Sequence, residues 1–148
     1  MSQFIYTEDR PTGLIARLFL GLIILPHGLQ KALGLFGGHG FMPTLEAFDG
    51  QGIPYAAGVA IIAVETLGAI CLVLGVFGRF MSSAIMIVMA GAIFLRHAEN
   101  GFFMNWSGMQ AGEGFEYHLL AIGLGLIIVL GGSGSISFDR WLTKRHWD

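Results

Sequence analysis

Four apolar stretches of about twenty residues constrain the fold of this chain more than any other feature of its sequence. They run over residues 14–33, 55–77, 80–98 and 115–134. About twenty helical residues are enough to cross the ~30 Å hydrocarbon core of a bilayer. The stretches lack the alternating pattern of barrel strands, so helices are the way to satisfy their backbone polar groups in lipid. We predict an all-α integral membrane protein, a four-transmembrane-helix bundle formed by a single domain over residues 1–148.

The composition excludes several other classes of protein. Hydrophobic residues make up 54% of the chain and charged residues 12%, about half the charged share of a typical soluble domain. That is too little charge for an ordinary cytosolic enzyme or a disordered chain. The single cysteine, Cys71, excludes an internal disulfide, a CxxC pair and a thiolate metal cluster. A formal net charge of −2 provides no basic field for nucleic acid.

The distribution of lysine and arginine predicts the orientation in the membrane. If the helices alternate in direction, Lys31 and Arg96 fall on one side and six other basic residues on the opposite side. Those six are Arg10, Arg17, Arg79, Arg140, Lys144 and Arg145. By the positive-inside rule, both termini are then cytoplasmic, and the long loops over 34–54 and 99–114 face outward.

Glycines and polar residues share a face on three of the four predicted helices. The stripes are Arg17, Gly21, Ile24, Gly28 and Lys31; Gly58, Glu65, Gly68, Leu72 and Gly75; and Glu116, Gly123 and Ile127. Small residues let membrane helices approach closely, and polar groups avoid lipid. We therefore predict that all three stripes face the interior of the bundle.

The ionisable residues of the apolar stretches predict a polar cavity. Glu65 lies ten residues into the second stretch, near mid-membrane, where an ionised carboxylate is costly unless it is paired. His27 lies at a comparable depth, and Lys31 follows one turn later on the same face. We predict Glu65, His27 and Lys31 as catalytic residues in the outer half of the bundle. The predicted lining of this cavity is His27, Gln30, Lys31, Glu65, His97, Glu116 and Tyr117.

Other interpretations stay open for residues near the helix ends. Long side chains such as Lys31 and Glu116 reach the membrane interface by snorkelling. Arg17 is predicted to snorkel or to cap the cytoplasmic end, and His39 and His118 are interpreted as loop or interfacial residues. No metal site is predicted, because no HxxxH or ExxH spacing occurs.

The order and spacing of several short motifs resemble the DoxX family. They are Arg17-Leu-Phe-Leu-Gly21, His27-Gly28-Leu-Gln-Lys31, Glu65-Thr-Leu-Gly68, Leu72-Val-Leu-Gly75 with Arg79, Gly101-Phe102-Phe103, Gly114-Phe115-Glu116-Tyr117, Gly132-Ser-Gly134 and Ser137-Phe138-Asp139. The resemblance covers nearly the whole chain and implies a four-helix, multi-pass protein of the bacterial inner (plasma) membrane. Some members of the family are subunits of a thiosulfate:quinone oxidoreductase, which implies a redox role; many have no established activity.

Three functional hypotheses follow. The first is a membrane redox component, a quinone-linked oxidoreductase or its small membrane subunit, in which His27 and Glu65 donate protons and Lys31 stabilises a quinol anion. The second is a non-enzymatic accessory subunit packed on a larger membrane (respiratory) complex. The third is a protein that handles a metal or small molecule with His27, His97, Glu65 and Glu116. The sequence has no haem, flavin or nucleotide motif, so the first hypothesis takes its electrons from a quinone, a metal or a partner protein.

Overall fold

The computed structural model describes residues 7–147, apart from the side chains of residues 145–147, and this part of the chain is helical with no strand. Residues 1–6 and 148 of the predicted domain, and the Arg145 side chain, lie outside it. The helices are α1 Pro11–Leu33, α2 Phe41–Asp49, α3 Tyr55–Leu74, α4 Gly78–Asn100, α5 Glu116–Gly131 and α6 Phe138–Trp147. The predicted all-α class is therefore confirmed for the described residues.

Three of these helices are long and apolar enough to cross a membrane. α1 and α4 have 23 residues each and α3 has 20, whereas the apolar α5 has 16 and is shorter than the predicted 115–134. Large apolar side chains such as Phe19, Ile87, Phe94 and Leu120 are exposed on the outside of the protein. Lipid is the solvent for such a surface, because water would leave this apolar area unfavourably hydrated.

The four long helices pack in a ring. α1 contacts α3 and α5, and α4 closes the ring by contacting α5 and α3. At one end, which we call the Lys31 end, α1 and α4 finish and α3 and α5 begin; the opposite end is the termini end. The core between the helices is built from small and branched side chains: Ala16, Leu20, Ile24, Ala69, Leu72, Ile85, Met89, Ala121 and Ile128.

Two of the three predicted stripes are confirmed, and the third is wrong. The α1 and α3 stripes face inward, with Lys31 as their only partly exposed member. On α5, Gly123 is exposed with no atom near the position of a Cβ, and Ile127 is also exposed. The buried glycine is Gly125, which packs on Ser82 and Met86 of α4. The inward face of α5 thus starts from His118 and continues through Ala121, Gly125 and Ile128.

Arg17 caps the termini end from inside the bundle. Its side chain is 2% exposed, so it does not snorkel, and its guanidinium donates hydrogen bonds to four backbone carbonyls. Two of the acceptors, Leu72 and Val73, lie in the last turn of α3, where carbonyls have no partner within the helix. The other two, Ser133 and Ile136, lie in the segment that joins α5 to α6. Arg17 therefore ties three parts of the chain together.

Asp139 completes the same end and was not predicted as a structural residue. Its carboxylate is 2% exposed and accepts hydrogen bonds from the Phe77 and Gly78 backbone N–H groups, at 2.8 and 2.9 Å, and from the Ser133 hydroxyl at 2.6 Å. Those two N–H groups begin α4, so Asp139 caps that helix from a distant part of the sequence. It also holds Phe77 in a left-handed conformation with φ 49°, which is unfavourable for a non-glycine residue.

Candidate functional site

Glu65 lies in a widened turn of α3. The helix is regular over Tyr55–Ala63 and Ala69–Leu74, but Val64–Gly68 between them is π-helical. The hydroxyl of Thr66 donates to the Ile62 carbonyl at 2.7 Å and so satisfies one acceptor of the distorted ladder. π-Helical turns within α-helices are frequent at functional sites, because the inserted residue changes the direction of nearby side chains.

α1 crosses this widened turn with backbone against backbone. A Cβ added at Gly28 would meet the carbonyl oxygen of Glu65 and would lie 2.5 Å from its carbonyl carbon and 2.6 Å from the Thr66 nitrogen. Only glycine permits so close an approach. The crossing brings the side chain of Lys31, one turn further along α1, to the carboxylate of Glu65.

Lys31 and Glu65 form a buried ion pair. Lys31 Nζ lies 2.6 Å from Glu65 Oε2, and the two side chains are 26% and 7% exposed. The angle between them falls outside hydrogen-bond geometry, so Oε2 has an ionic contact but no hydrogen bond. At 2.6 Å the attraction between the two charges determines where the Lys31 side chain lies, because lipid offers the Glu65 carboxylate no comparable partner. Lys31 is therefore drawn inward rather than snorkelling away.

His27 stands beside this pair and is open to the outside of the bundle. It interacts electrostatically with both Lys31 and Glu65, and its side chain is exposed between α1 and α5. Its ring lies 5.9 Å from that of Tyr117 in the first turn of α5, with the two planes at 46°. The Tyr117 hydroxyl is buried and has no hydrogen-bond partner. The structure thus brings together four of the seven predicted residues: His27, Lys31, Glu65 and Tyr117.

The other three predicted residues bind the loops of the Lys31 end. Gln30 Nε2 donates to the Phe36 carbonyl at 3.1 Å. Glu116 Oε1 accepts from the Met104 backbone N–H at 3.0 Å and from the Trp106 indole at 3.4 Å. His97 Nδ1 lies 2.8 Å from the Glu113 carbonyl oxygen. Gln30 and Glu116 therefore stabilise the loops rather than the ion pair.

His118 belongs to the site and was misinterpreted from the sequence. It is 7% exposed, its Nδ1 has no hydrogen-bond partner, and its ring lies 5.4 Å from Tyr117 and 4.2 Å from His97. His97 itself lies in a second π-helical turn, Ile93–His97 of α4. Its burial was missed because the α5 stripe was started at Glu116. The spacing from His118 to Ala121 and Gly125, three and then four residues, carried the correct signal.

No cluster of three or more His, Cys, Asp or Glu side chains that could hold a metal ion occurs in the described part of the chain. The rings of His97 and His118 lie 4.2 Å apart with their planes tilted by 43°. The four residues named for metal handling, His27, His97, Glu65 and Glu116, are thus not gathered around one point.

Comparison with known proteins identifies the family. The family model described as DoxX matches residues 13–98, more than half of the 148 residues. The chain belongs to the DoxX family. This confirms the resemblance seen in the motifs. No solved structure matches the chain.

Three relatives of this DoxX chain have names that describe a membrane protein or a putative oxidoreductase. Rv3486 of Mycobacterium tuberculosis (strain ATCC 25618 / H37Rv), named an uncharacterized membrane protein, is 31% identical over 97% of this chain and 88% of its own length. The putative oxidoreductase CatD of Bacillus subtilis (strain 168) is 27% identical over 88% of this chain and 87% of its own. The inner membrane protein YphA of Escherichia coli (strain K12) is 28% identical over 95% and 97% respectively.

The DoxX match covers only part of the candidate site. It contains α1 from Gly13 onward, α2, α3 and α4 to Ala98, and so both members of the ion pair, Lys31 and Glu65, together with Gly28 and His97. Tyr117 and His118 of α5 lie beyond it. The charged centre therefore comes from the part of the chain that the family model covers, and two of its ring neighbours come from the part that follows.

Proposed function

We propose that this DoxX protein is a membrane-embedded redox component that binds a quinone beside the Lys31–Glu65 pair. In this proposal it is a quinone-linked oxidoreductase or the small membrane subunit of one. The four helices α1, α3, α4 and α5 all cross the bacterial inner membrane, with both termini in the cytoplasm. The Lys31 end then faces outward, as the distribution of lysine and arginine predicts.

The buried ion pair carries this proposal. Burying two charges costs several kcal/mol per ion, and a pair of apolar residues would pack there without that cost. Ionisable residues inside a membrane bundle are therefore candidates for function by default. Here Glu65 lies on a π-helical turn of α3, and the Lys31 side chain is 26% exposed, so the protein does not fully enclose the pair.

The surroundings of the pair favour a flat ligand with polar oxygens that arrives through lipid. His27 is exposed and lies beside Tyr117 of α5, so this side of the site reaches the lipid-facing surface of the bundle. Behind it lie the unpartnered Tyr117 hydroxyl and the Lys31 ammonium, both hydrogen-bond donors. A quinone has two carbonyl oxygens to accept such hydrogen bonds, and an apolar ring that suits the membrane.

The same groups can assist quinone reduction. Converting a quinone to a quinol takes two electrons and two protons. We assign the electrons to a partner redox protein in the membrane and the protons to His27 and Glu65, which hold and release protons at the site. Lys31 stabilises the negative charge that develops on a quinone oxygen before that oxygen is protonated. The name of the relative CatD, a putative oxidoreductase, supports this chemistry.

Quinone binding by the full chain in lipid nanodiscs tests the proposal, with a short-chain ubiquinone as the probe. We expect Lys31→Met to weaken binding about tenfold or more, because a hydrogen bond to a charged group contributes roughly 1.5–3 kcal/mol. Glu65→Gln should weaken binding as well, because the Lys31 ammonium then loses the carboxylate that positions it. Lys144→Met and Glu46→Gln are matched controls at exposed positions and should bind as the wild type does.

Two results would contradict the proposal. One is a wild-type protein that binds no quinone. The other is equal binding by the wild type and by both site variants. Purification of the wild type in a large membrane complex, with no quinone bound to this chain, would instead favour the accessory-subunit hypothesis.

A further inference from the structure

We propose that His97, His118 and Tyr117 form a proton path from the loop at the Lys31 end to the Lys31–Glu65 pair. The proposal rests on the proposed function, since it identifies the route by which the redox site takes up protons. It assigns a role to His118, which the quinone site itself does not use.

Neighbouring rings lead from His97 of α4 through His118 and Tyr117 of α5 toward the ion pair. The ring centroids of His97 and His118 lie 4.2 Å apart, those of His118 and Tyr117 5.4 Å, and those of Tyr117 and His27 5.9 Å. Beyond Tyr117 stands Glu65, whose charge acts on the Tyr117 hydroxyl. No direct hydrogen bond joins the Tyr117 hydroxyl or His118 Nδ1 to a neighbouring side chain, so each transfer at these atoms goes through a bridging water or a small rotation of the ring.

The loop contact fixes which nitrogen of His97 receives a proton. His97 Nδ1 lies 2.8 Å from the carbonyl oxygen of Glu113, and a carbonyl only accepts hydrogen bonds. Nδ1 of the neutral ring therefore carries the hydrogen, and Nε2 has the free lone pair. The entry residue is thus held in the tautomer that binds an incoming proton at Nε2.

The middle of the path contains two buried polar atoms without partners. They are His118 Nδ1 and the Tyr117 hydroxyl, and His118 as a whole is 7% exposed. A buried donor or acceptor that makes no hydrogen bond costs about 1–3 kcal/mol, so native proteins rarely keep one without a reason. An atom that passes protons on needs a hydrogen-bond partner that it can exchange, and neither of these two atoms is held by a fixed protein partner.

The charges around the path oppose a lasting positive charge on its rings and attract the proton to Glu65. The charged and titratable neighbours acting on these rings are His27 and Lys31 of α1, Glu65 of α3 and His97 of α4. Glu65 is the negative member of this set, so it attracts the proton. Lys31 opposes a second positive charge near His27, which favours transfer of the proton onward to the carboxylate.

The transfer balances as a relay. A proton from outside water binds His97 Nε2, and the imidazolium passes a proton to His118. His118 passes a proton to the Tyr117 oxygen, which releases its own hydrogen toward Glu65. All three rings end in their starting charge state, and Glu65 gains one proton. No electron moves and no oxidant or reductant is needed.

Infrared spectroscopy of the full chain in liposomes tests the path. The carboxyl band of Glu65 is identified as the one lost in Glu65→Gln, and its growth is followed after rapid acidification outside the liposomes. We expect Tyr117→Phe, which removes one oxygen, to slow that growth about 10²-fold, a usual loss for a positioned proton donor. His118→Phe, which keeps a ring in place, should slow it similarly. The final extent of protonation should not change.

Tyr55→Phe and His39→Phe are the matched controls, because both residues are exposed at the Lys31 end and outside the path. Wild-type rates in Tyr117→Phe and His118→Phe would overturn the path, and so would a Glu65 band that never responds to outside pH. Quinone binding is measured separately on the same samples. If the wild type binds no quinone but the two variants slow the protonation of Glu65, the proposed function is refuted and the path is retained. If the wild type binds quinone but the variants protonate at the wild-type rate, the path is refuted and the proposed function is retained.

Discussion

Replacement of Gly28 by alanine is expected to separate α1 from α3 at the candidate site. The added Cβ would lie 2.5 Å from the Glu65 carbonyl carbon, whereas ordinary van der Waals contact begins at 3.4 Å. The atoms that the Cβ would meet, in Glu65 and Thr66, all belong to the backbone, so no side chain can rotate away, and the helices must part by about 0.9 Å. Overpacking of this kind costs about 1–3 kcal/mol. The same movement lengthens the Lys31–Glu65 contact from 2.6 Å.

The single cysteine provides the assay. Cys71 is half-buried in α3, so a thiol-reactive dye labels it faster as the bundle opens. A loss of 1–3 kcal/mol raises the population of the open form, and with it the labelling rate, by about 5- to 150-fold. The full chain is compared in the same detergent with Gly123→Ala, because nothing lies within 4 Å of a Cβ at Gly123. That control should label as slowly as the wild type, or more slowly, since alanine favours helix.

Equal labelling rates for Gly28→Ala and Gly123→Ala would refute the reasoning. They would mean that α1 and α3 do not approach as closely as the structure places them. Faster labelling of both variants would also count against it. Replacement of glycine by alanine would then destabilise the bundle at any position, and no close contact at Gly28 would be needed to explain the effect.

Two further substitutions test the buried charges. Asp139→Asn should lower stability by about 1–3 kcal/mol, because the amide cannot accept hydrogen bonds from both backbone N–H groups and the Ser133 hydroxyl at once. Thermal unfolding in detergent measures this loss. The control is Asp49→Asn at an exposed position, which should leave the stability unchanged. Lys31→Met should lower stability by about 3 kcal/mol, since it leaves the 7% exposed Glu65 carboxylate unpaired. Lys31→Arg, which keeps the charge, should lose less, and an equal loss in both variants would rule out the ion pair as the cause.

The sequence predicted the parts of the fold that depend on regular spacing. The helices follow from apolar runs, and the inward faces of α1 and α3 follow from residues repeated at steps of three and four, such as Gly21, Ile24 and Gly28. The pairing of Lys31 with Glu65 was within reach, because two opposite charges on inward faces are each costly alone. These inferences needed no knowledge of which helix neighbours which.

The features that were missed depend on contacts between distant segments. On α5, glycines at 123 and 125 both fit a helical face, and only the neighbouring Ser82 and Met86 of α4 select Gly125. The π-helical turn at Val64–Gly68 has no sequence signal of its own, because its cause is the packing around it. His118 was not predicted as a buried residue, because the wrong face of α5 was chosen as the inward one.

The cap on α4 has a consequence for how the protein is made. The backbone N–H of Phe77 donates to the carboxylate of Asp139, which lies 62 residues later in the sequence. While the ribosome is still synthesising α4 and α5, the start of α4 and the left-handed turn at Phe77 have no partner. The termini end can close only after Asp139 has emerged. Quality-control proteases that survey nascent membrane proteins would therefore find an open turn in any chain that stops before residue 139.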